Sequence, residues 1–165
     1  MYDWCLMRVK FLGENTKKLM FKFGFMAKQD YRMPKKSVGL IMGNKEIELD
    51  FVCIITHPNL DLIEYITEVP DVDILITLAD YYQVSFELYH SSVNGCNVGY
   101  SEYNWETKVY ETLELDEVDF YGSVLKDSLW HFEGQVYPNK YSLRKYIWYR
   151  KYRNKRIDAI LEDIE

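Results

Sequence analysis

Charge is divided so unevenly along this chain that the division limits how the chain can fold. Residues 1–45 contain ten Lys/Arg and three Asp/Glu, residues 46–139 contain two Lys/Arg and nineteen Asp/Glu, and residues 140–165 contain eight Lys/Arg and four Asp/Glu. A folded chain must either pack the acidic middle against the basic ends or turn it toward solvent. The acids in excess in the middle outnumber the excess cations of both ends together. We therefore expect an acidic surface to remain after internal pairing.

Strand patterns dominate the first half of the chain. Residues 4–11 mix apolar and polar side chains in a short alternating run, and residues 19–25 place Leu and Phe at every second position. Alternation with period two is typical of a half-buried strand. The two segments predict a first hairpin.

A second hairpin is predicted around Gly43-Asn44, a turn dipeptide that readily adopts positive φ. Residues 38–42 and 46–55 form its arms. In the second arm, apolar side chains occupy one face, so the other face is solvated and acidic. The acids on that face are Glu46, Glu48 and Asp50.

Helical signals are fewer. Asn59 is a suitable N-cap for one short helix, which we predict near residues 60–68. Residues 71–90 combine helical and alternating spacing, and we favour a hairpin there. A long C-terminal helix is predicted near residues 142–164, with Ser142 as its cap. Its apolar stripe comprises Leu143, Tyr146, Ile147, Ile157, Ile160, Leu161 and Ile164.

These elements, with further short strands at 108–115, 118–124 and 129–137, predict a single α+β domain spanning residues 1–165. Its antiparallel β-sheet is built from hairpins and is joined by the short helix and the long C-terminal helix. The three cysteines are too few and too widely spaced to predict a disulfide framework or a zinc module. The sequence contains neither an apolar run of membrane-spanning length nor a signal-peptide pattern, so we expect a cytoplasmic protein.

Residues 70–85 read Pro-Asp-Val-Asp-Ile-Leu-Ile-Thr-Leu-Ala-Asp-Tyr-Tyr-Gln-Val-Ser. With its proline, its Leu-Ala-Asp-Tyr run and its Val-Ser pair, the segment resembles the last helices of helix-turn-helix repressors of the phage Cro/repressor type. The resemblance implies a DNA-binding regulator whose recognition helix lies just upstream. That upstream segment contains no Lys or Arg, whereas neutralisation of phosphates supplies most non-specific affinity for DNA. The regulator is therefore the third hypothesis.

Asp71, Glu106 and Lys108 have the residue types of the PD…ExK pattern of restriction-enzyme-like nucleases. In that chemistry the acids hold Mg²⁺, and the lysine steadies the attacking water or the scissile phosphate. The separation between the aspartate and the glutamate is long, and Glu-x-Lys triplets arise by chance in charged chains. A metal-dependent nuclease is thus the enzymatic alternative.

Aromatic residues accompany many of the acids. The chain contains 15 Tyr and 4 Trp, residue types that dominate binding hot spots because they bury much area at a small cost in entropy. More than half of them are expected in the core. The remainder, with the acids, predict a partner-binding surface that comprises Glu46, Glu48, Asp50, Asp61, Glu64, Asp80, Tyr81, Glu87, Tyr89, Glu102, Tyr103 and Glu106.

A basic patch interrupts the apolar stripe of the C-terminal helix. It comprises Arg150, Lys151, Arg153, Lys155 and Arg156. We predict that at least one of these arginines points toward the carboxylates of the protein's own sheet. The alternative is a second binding surface, for a nucleic acid or for an acidic patch on a partner.

Together these patterns predict a non-enzymatic inhibitor, encoded by a phage or mobile element and acting in the cytoplasm of a bacterial host cell. Its acidic, aromatic-rich surface would bind a basic nucleic-acid-handling protein of host defence, in the manner of anti-CRISPR or anti-restriction proteins, with nucleic-acid mimicry as one form of such binding. An immunity protein against a nuclease toxin would need the same surface. No cofactor, metal or membrane contact is expected, and nucleic acid only through the basic helix.

Overall fold

The largest sheet of the fold is six-stranded and antiparallel. The computed structural model describes residues 4–27, 38–42, 45–49, 52–67, 72–92 and 98–164. The strands are β1 (Cys5–Leu12), β2 (Val38–Met42), β3 (Lys45–Leu49), β4 (Val52–His57), β5 (Leu62–Thr67), β6 (Ser85–Ser92), β7 (Val98–Asn104), β8 (Val109–Leu115), β9 (Val124–Lys126), β10 (Leu129–Phe132) and β11 (Gln135–Tyr137). The helices are α1 (Thr16–Ala27), α2 (Val72–Tyr82) and α3 (Lys140–Ile164). The predicted α+β class, with an antiparallel sheet, a short helix and a long C-terminal helix, is confirmed.

The strand order of the main sheet is β4-β5-β1-β6-β7-β8. Strands β6, β7 and β8 follow one another as a meander, whereas β1 lies between β5 and β6. Strands β9 to β11 form a small three-stranded sheet. Strands β2 and β3 pair with each other as predicted, while Gly43 and Asn44 lie outside the described residues. The predicted second arm, residues 46–55, is divided, because β3 ends at Leu49 and β4 pairs with β5 in the main sheet.

The two faces of the main sheet bury different sets of residues. On one face, side chains such as Val9 and Phe86 pack with α1 and α2 in one core cluster. On the other face, Tyr89 and Tyr100 pack with Trp148 of α3 and with the small sheet. Successive strand residues point to opposite faces, so the polar positions that alternate with the first cluster lie on the α3 side.

The first hairpin prediction is wrong, because residues 16–27 form helix α1. Thr16, Leu19 and Met20 are buried, whereas Phe21 is exposed. These buried positions are spaced at i, i+3 and i+4, as on one face of a helix. Tertiary packing of that face against the sheet overrides the alternation of Leu and Phe.

The prediction of a short helix near residues 60–68 is also wrong. After a 3-10 turn at Pro58–Leu60, Asp61 adopts a positive φ, and β5 follows. Strand β5 pairs with both β1 and β4, so hydrogen bonds to two neighbours satisfy its backbone. The short helices of the described residues are α1 and α2. Helix α2 lies where the sequence favours a hairpin, and it buries Leu75, Leu78 and Ala79.

Helix α3 begins at Lys140, and the cap is Asn139 rather than Ser142. The Asn139 Oδ1 atom accepts a hydrogen bond of 2.9 Å from the Ser142 N–H, as an N-cap side chain does. The first half of α3 is docked, with Leu143, Ile147 and Trp148 buried.

The second half of α3 is not docked. Every residue from Arg153 to Asp163 is exposed, including Ile157, Ile160 and Leu161, which were predicted to face the core. The last polar contact between α3 and the main sheet that the structure describes is made by Tyr152 to Glu111 of the edge strand β8. The predicted stripe is therefore core only in its first part, because the helix extends beyond the sheet. No helix in the described ranges is long and apolar enough to cross a membrane.

Candidate functional site

Three glutamates lie side by side on three neighbouring strands. The register places Glu87 of β6 opposite Glu102 of β7, and Glu102 opposite Glu111 of β8. Directly opposite residues of antiparallel strands project from the same face with Cβ atoms about 4.5–5.5 Å apart. Like charges in this arrangement destabilise a sheet unless other groups compensate. We name Glu87, Glu102 and Glu111 the acid row.

Helix α3 supplies the compensating groups. Three of its side chains, spaced at i, i+4 and i+7, each donate a hydrogen bond to one glutamate of the acid row. The pairs are Lys145 to Glu87 at 2.5 Å, Tyr149 to Glu102, and Tyr152 to Glu111 at 2.6 Å. This spacing places the donors on one side of the helix. Two of the three donors are neutral, so these donors together leave the acid row with an excess of negative charge.

The phenols around Glu102 are fixed in their protonated form. Tyr100 Oη donates to Glu102 Oε1 at 2.5 Å, and Tyr149 donates to the same oxygen. Burial, followed by these hydrogen bonds to a carboxylate, raises the pKa of both Tyr100 and Tyr149 well above the usual value of a phenol. Both groups therefore remain donors at physiological pH.

A surface cavity of about 750 Å³ opens beside the acid row, and we name it the acidic groove. Its acidic lining residues are Glu87, Glu102, Glu106 and Glu111, and its aromatic ones include Tyr103, Trp105 and Tyr149. No Lys or Arg is among the described residues that line it. Such a lining is suited to a cationic group, because Arg and Lys bind both carboxylates and aromatic faces.

A tight turn between β7 and β8 forms the rim of the acidic groove. The Asn104 Oδ1 atom accepts hydrogen bonds from the N–H groups of Glu106 at 2.9 Å and Thr107 at 3.2 Å. The Trp105 N–H donates to Ser85 Oγ at 3.3 Å, which ties the turn to β6. These bonds hold the exposed Glu106 at the rim.

Asp80 of α2 anchors the same turn from the other face of the sheet. Its Oδ1 atom accepts hydrogen bonds from Tyr103 Oη at 2.5 Å and Lys108 Nζ at 2.8 Å. Burial by itself would raise the pKa of Asp80, but the hydrogen bonds and the Lys108 charge outweigh it, so the pKa lies below its usual value. Burial and the bond to Asp80 raise the pKa of Tyr103 to about 12. Asp80 and Lys108 thus hold the turn together.

This pairing bears on the nuclease hypothesis. The amine of Lys108 is bound by Asp80 rather than left beside Glu106 for a phosphate. Asp71 lies outside the described residues. Among the residues that the structure does describe, no group of three His, Cys, Asp or Glu side chains could hold a metal ion. The described geometry therefore provides no support for the PD…ExK interpretation.

The structure brings Glu87, Glu102 and Glu106 of the predicted partner-binding surface together in the acidic groove. Tyr103 borders the groove but is only 3 % exposed, and it packs in the core cluster of α1 and α2. Tyr89 lies on the same face as the acid row but packs against Tyr100, with ring centroids 4.8 Å apart. It therefore belongs to the core beneath α3.

The other predicted residues lie elsewhere. Asp61 forms an ion pair with Lys17 at 2.8 Å, and Glu64 forms one with Arg8 at 3.5 Å. Tyr81 is exposed and contacts Tyr82 edge to face. Glu46 and Glu48 are on β3, which pairs with β2 in a separate two-stranded sheet, and Asp50 lies outside the described residues.

The basic patch divides into two parts. Arg150 pairs with Glu133, and Lys151 Nζ lies 2.8 Å from Asp119, so these two cations neutralise acids of the segment between β8 and α3. The other three, Arg153, Lys155 and Arg156, are exposed, and no described residue forms an ion pair with them. The Arg156 guanidinium lies over the Tyr152 ring, 5.7 Å from its centroid.

The sequence interpretation missed Trp105, Glu111 and Tyr149, which complete the acidic groove. A local signal existed for Tyr149, which follows Lys145 by four residues on the same helical face. The signal for Glu111 is the strand register, which is not local. Comparison with known proteins adds no assignment: no protein-family model, no curated protein and no solved structure matches this chain.

Proposed function

We propose that the protein is a non-enzymatic inhibitor that binds a basic nucleic-acid-handling protein of host defence through the acidic groove. The observation that carries the proposal is the acid row, in which three carboxylates stand in adjacent register although like charges at such positions weaken a sheet. A binding role accounts for that arrangement. Structural neutralisation is incomplete, because only Lys145 among its α3 donors is charged and only Lys10 of β1 stands opposite one of the three carboxylates in the register.

The chemistry of the acidic groove suits a phosphate-binding surface of a partner. Neighbouring strands are about 4.8 Å apart, and each strand of a nucleic acid carries one charge per about 3.4 Å. The acid row therefore repeats negative charge at a spacing of the same order. Arginines that bind phosphates would find carboxylates for bidentate hydrogen bonds and aromatic faces for stacking at Trp105 and Tyr149.

In this proposal the protein is encoded by a phage or mobile element and acts in the bacterial cytoplasm. By filling a basic cleft, it would exclude the nucleic acid that the partner handles, as an anti-CRISPR or anti-restriction protein does. An immunity protein that neutralises a nuclease toxin would use the same groove. The two possibilities differ in the target and are separated by the same assay.

The experiment is an inhibition assay against purified nucleases with basic clefts: CRISPR effectors, restriction enzymes and nuclease toxins. The protein should block cleavage by at least one of them, and the affinity should fall steeply as salt increases. Glu106→Lys, at the exposed rim, should weaken binding to that nuclease by about tenfold or more. Glu117→Lys changes an equally exposed acid outside the groove and should have little effect.

Two results would contradict the proposal. One is Mg²⁺-dependent cleavage of DNA or RNA by the protein itself that is lost in Glu106→Ala, which would favour the nuclease. The other is equal loss of inhibition in the two lysine variants, which would show that net charge, rather than the acidic groove, is responsible.

A further inference from the structure

A second, smaller cavity lies on the same face of the main sheet, near the start of α3. It measures about 90 Å³, and its polar lining includes Arg8 of β1, Ser91 of β6, and Lys140 and Arg144 of α3. Three cations from two elements thus converge on one small space. One acid, Glu64, also lines it and lies 3.5 Å from Arg8.

Arg144 is the unusual member of this group. Only 8 % of its surface is exposed, and no described residue forms a hydrogen bond or an ion pair with it. Its nearest charge-stabilising neighbour is the Tyr141 ring, whose centroid lies 5.8 Å from the guanidinium carbon. A guanidinium has five N–H donors, and burying it without an acceptor destabilises the folded state.

The surroundings increase the need for a negative charge. The guanidinium of Arg8 stacks on the same Tyr141 ring at 3.8 Å, so two arginines share one aromatic ring. Burial, and then the charge of Arg144, lower the pKa of His90, the residue before Ser91 in β6, and favour its neutral form. Glu64 offsets one of the three cations, which leaves an excess of about two positive charges around the cavity.

We propose that this cavity is a binding site for a phosphate group. A phosphate monoester or inorganic phosphate carries a charge of about −1.5 to −2 at neutral pH, which matches the excess at the site. Its oxygens can accept the unused N–H groups of Arg144 in the paired geometry that guanidinium favours. Arg8, Lys140 and the Ser91 hydroxyl are positioned to complete the contacts.

The phosphate group could be free or carried on a larger molecule. A further cavity of about 260 Å³ shares the lining residues Arg8, Tyr89 and Tyr141 with the cavity of about 90 Å³. A molecule bound by its phosphate could extend into that space. The two sources share one chemistry at Arg144 and are separated by the ligands used in the test.

The test is calorimetric titration and thermal melting of the full chain with inorganic phosphate, AMP and a phosphoserine peptide, against chloride at matched ionic strength. At least one phosphate ligand should bind and raise the melting temperature. Arg144→Gln should weaken that binding by about tenfold or more. Arg156→Gln, an exposed arginine of the same helix, should bind as the unmodified protein does.

Each outcome decides the matter. Binding of inorganic phosphate identifies a free anion, and binding of AMP or the peptide alone identifies a carried phosphate group. Failure of all three phosphate ligands to bind, or no stabilisation beyond that by chloride, would overturn the proposal. If Arg144→Gln does not fold, Lys140→Gln at the exposed rim replaces it; unchanged phosphate affinity in both Lys140→Gln and Arg8→Gln would also overturn it.

Discussion

Replacing Lys145 by Met tests whether α3 compensates the acid row. The Lys145 amine lies 2.5 Å from Glu87 Oε1, and the side chains of Lys145 and Glu87 are 35 % and 12 % exposed. The Tyr89 hydroxyl, at 3.5 Å from the other oxygen of Glu87, is too distant to replace it. The variant would leave a largely buried carboxylate beside Glu102 without its ion pair. Lys10 of β1, which stands opposite Glu87 in the register, forms no ion pair with it among the described residues.

The magnitude follows from the exposure of the two partners. Removing one partner of a fully buried pair costs about 3–5 kcal/mol, whereas an exposed pair is worth about 0.2–1 kcal/mol. Because Glu87 is buried and Lys145 is partly solvated, we expect Lys145→Met to lower the free energy of unfolding by about 2 kcal/mol.

Urea unfolding followed by circular dichroism measures this change, provided that the m-value is unchanged. Lys155→Met, an exposed lysine of the same helix with no ion pair to a described residue, should change stability by less than about 0.5 kcal/mol. Adding Glu87→Gln to Lys145→Met should restore most of the loss, because the unpaired charge is then gone. A loss below about 0.5 kcal/mol in Lys145→Met would refute the compensation argument.

Three further predictions concern α3, β7 and the buried phenols. Leu143→Ala should cost about 2–5 kcal/mol in urea unfolding, whereas Leu161→Ala, at a position 55 % exposed, should cost less than about 0.5 kcal/mol. Gly99→Ala should lower the melting temperature, because its new Cβ would lie 2.1 Å from the His90 ring; the pair Gly99→Ala and His90→Ala should recover part of the loss. The raised pKa of Tyr103, about 12, means that its contribution to stability is complete below the unfolded value of about 10 and is lost as pH rises toward 12. Tyrosinate absorbance and circular dichroism during alkaline titration should therefore show ionisation of this phenol together with unfolding.

The spacing of apolar residues predicted an element correctly where its segment carries one pattern. It failed where a segment carries both a strand pattern and a helix pattern. Strand β8 and the docked start of α3 agree with their patterns. In residues 16–27, alternation of Leu and Phe competes with a helical set formed by Thr16, Leu19 and Met20, and only the tertiary contact of that set with the sheet decides. In residues 62–67, an amphipathic pattern suited to a short helix forms a central strand because β1 and β4 flank it.

The candidate site was predictable in composition but not in arrangement. The sequence shows that acids and aromatic residues are close along the chain around Glu102, Tyr103 and Glu106. Which acids stand opposite one another depends on the register of β6, β7 and β8, and a shift of one residue would turn Glu102 to the other face. Arg144 is equally hidden from the sequence, because its burial results from the packing of α3, through Tyr141, on Tyr89 of β6.

The division of charge first seen in the sequence persists on one face of the main sheet. Lys145 points to the acid row. Arg144, which is rotated by about 100° around the helix from Lys145, lines the cavity of about 90 Å³ together with the cations Arg8 and Lys140. Glu87 of β6 and Arg8 of β1 lie on adjacent strands and are offset by two residues in the register. Other rotamers of the charged side chains could therefore form more ion pairs within the protein. The fold instead leaves an excess of acid on one side of α3 and an excess of cation on the other. Unpaired charge lowers stability, and its retention around these two cavities is the reason that we propose two ligands of opposite charge, a basic protein surface and a phosphate group.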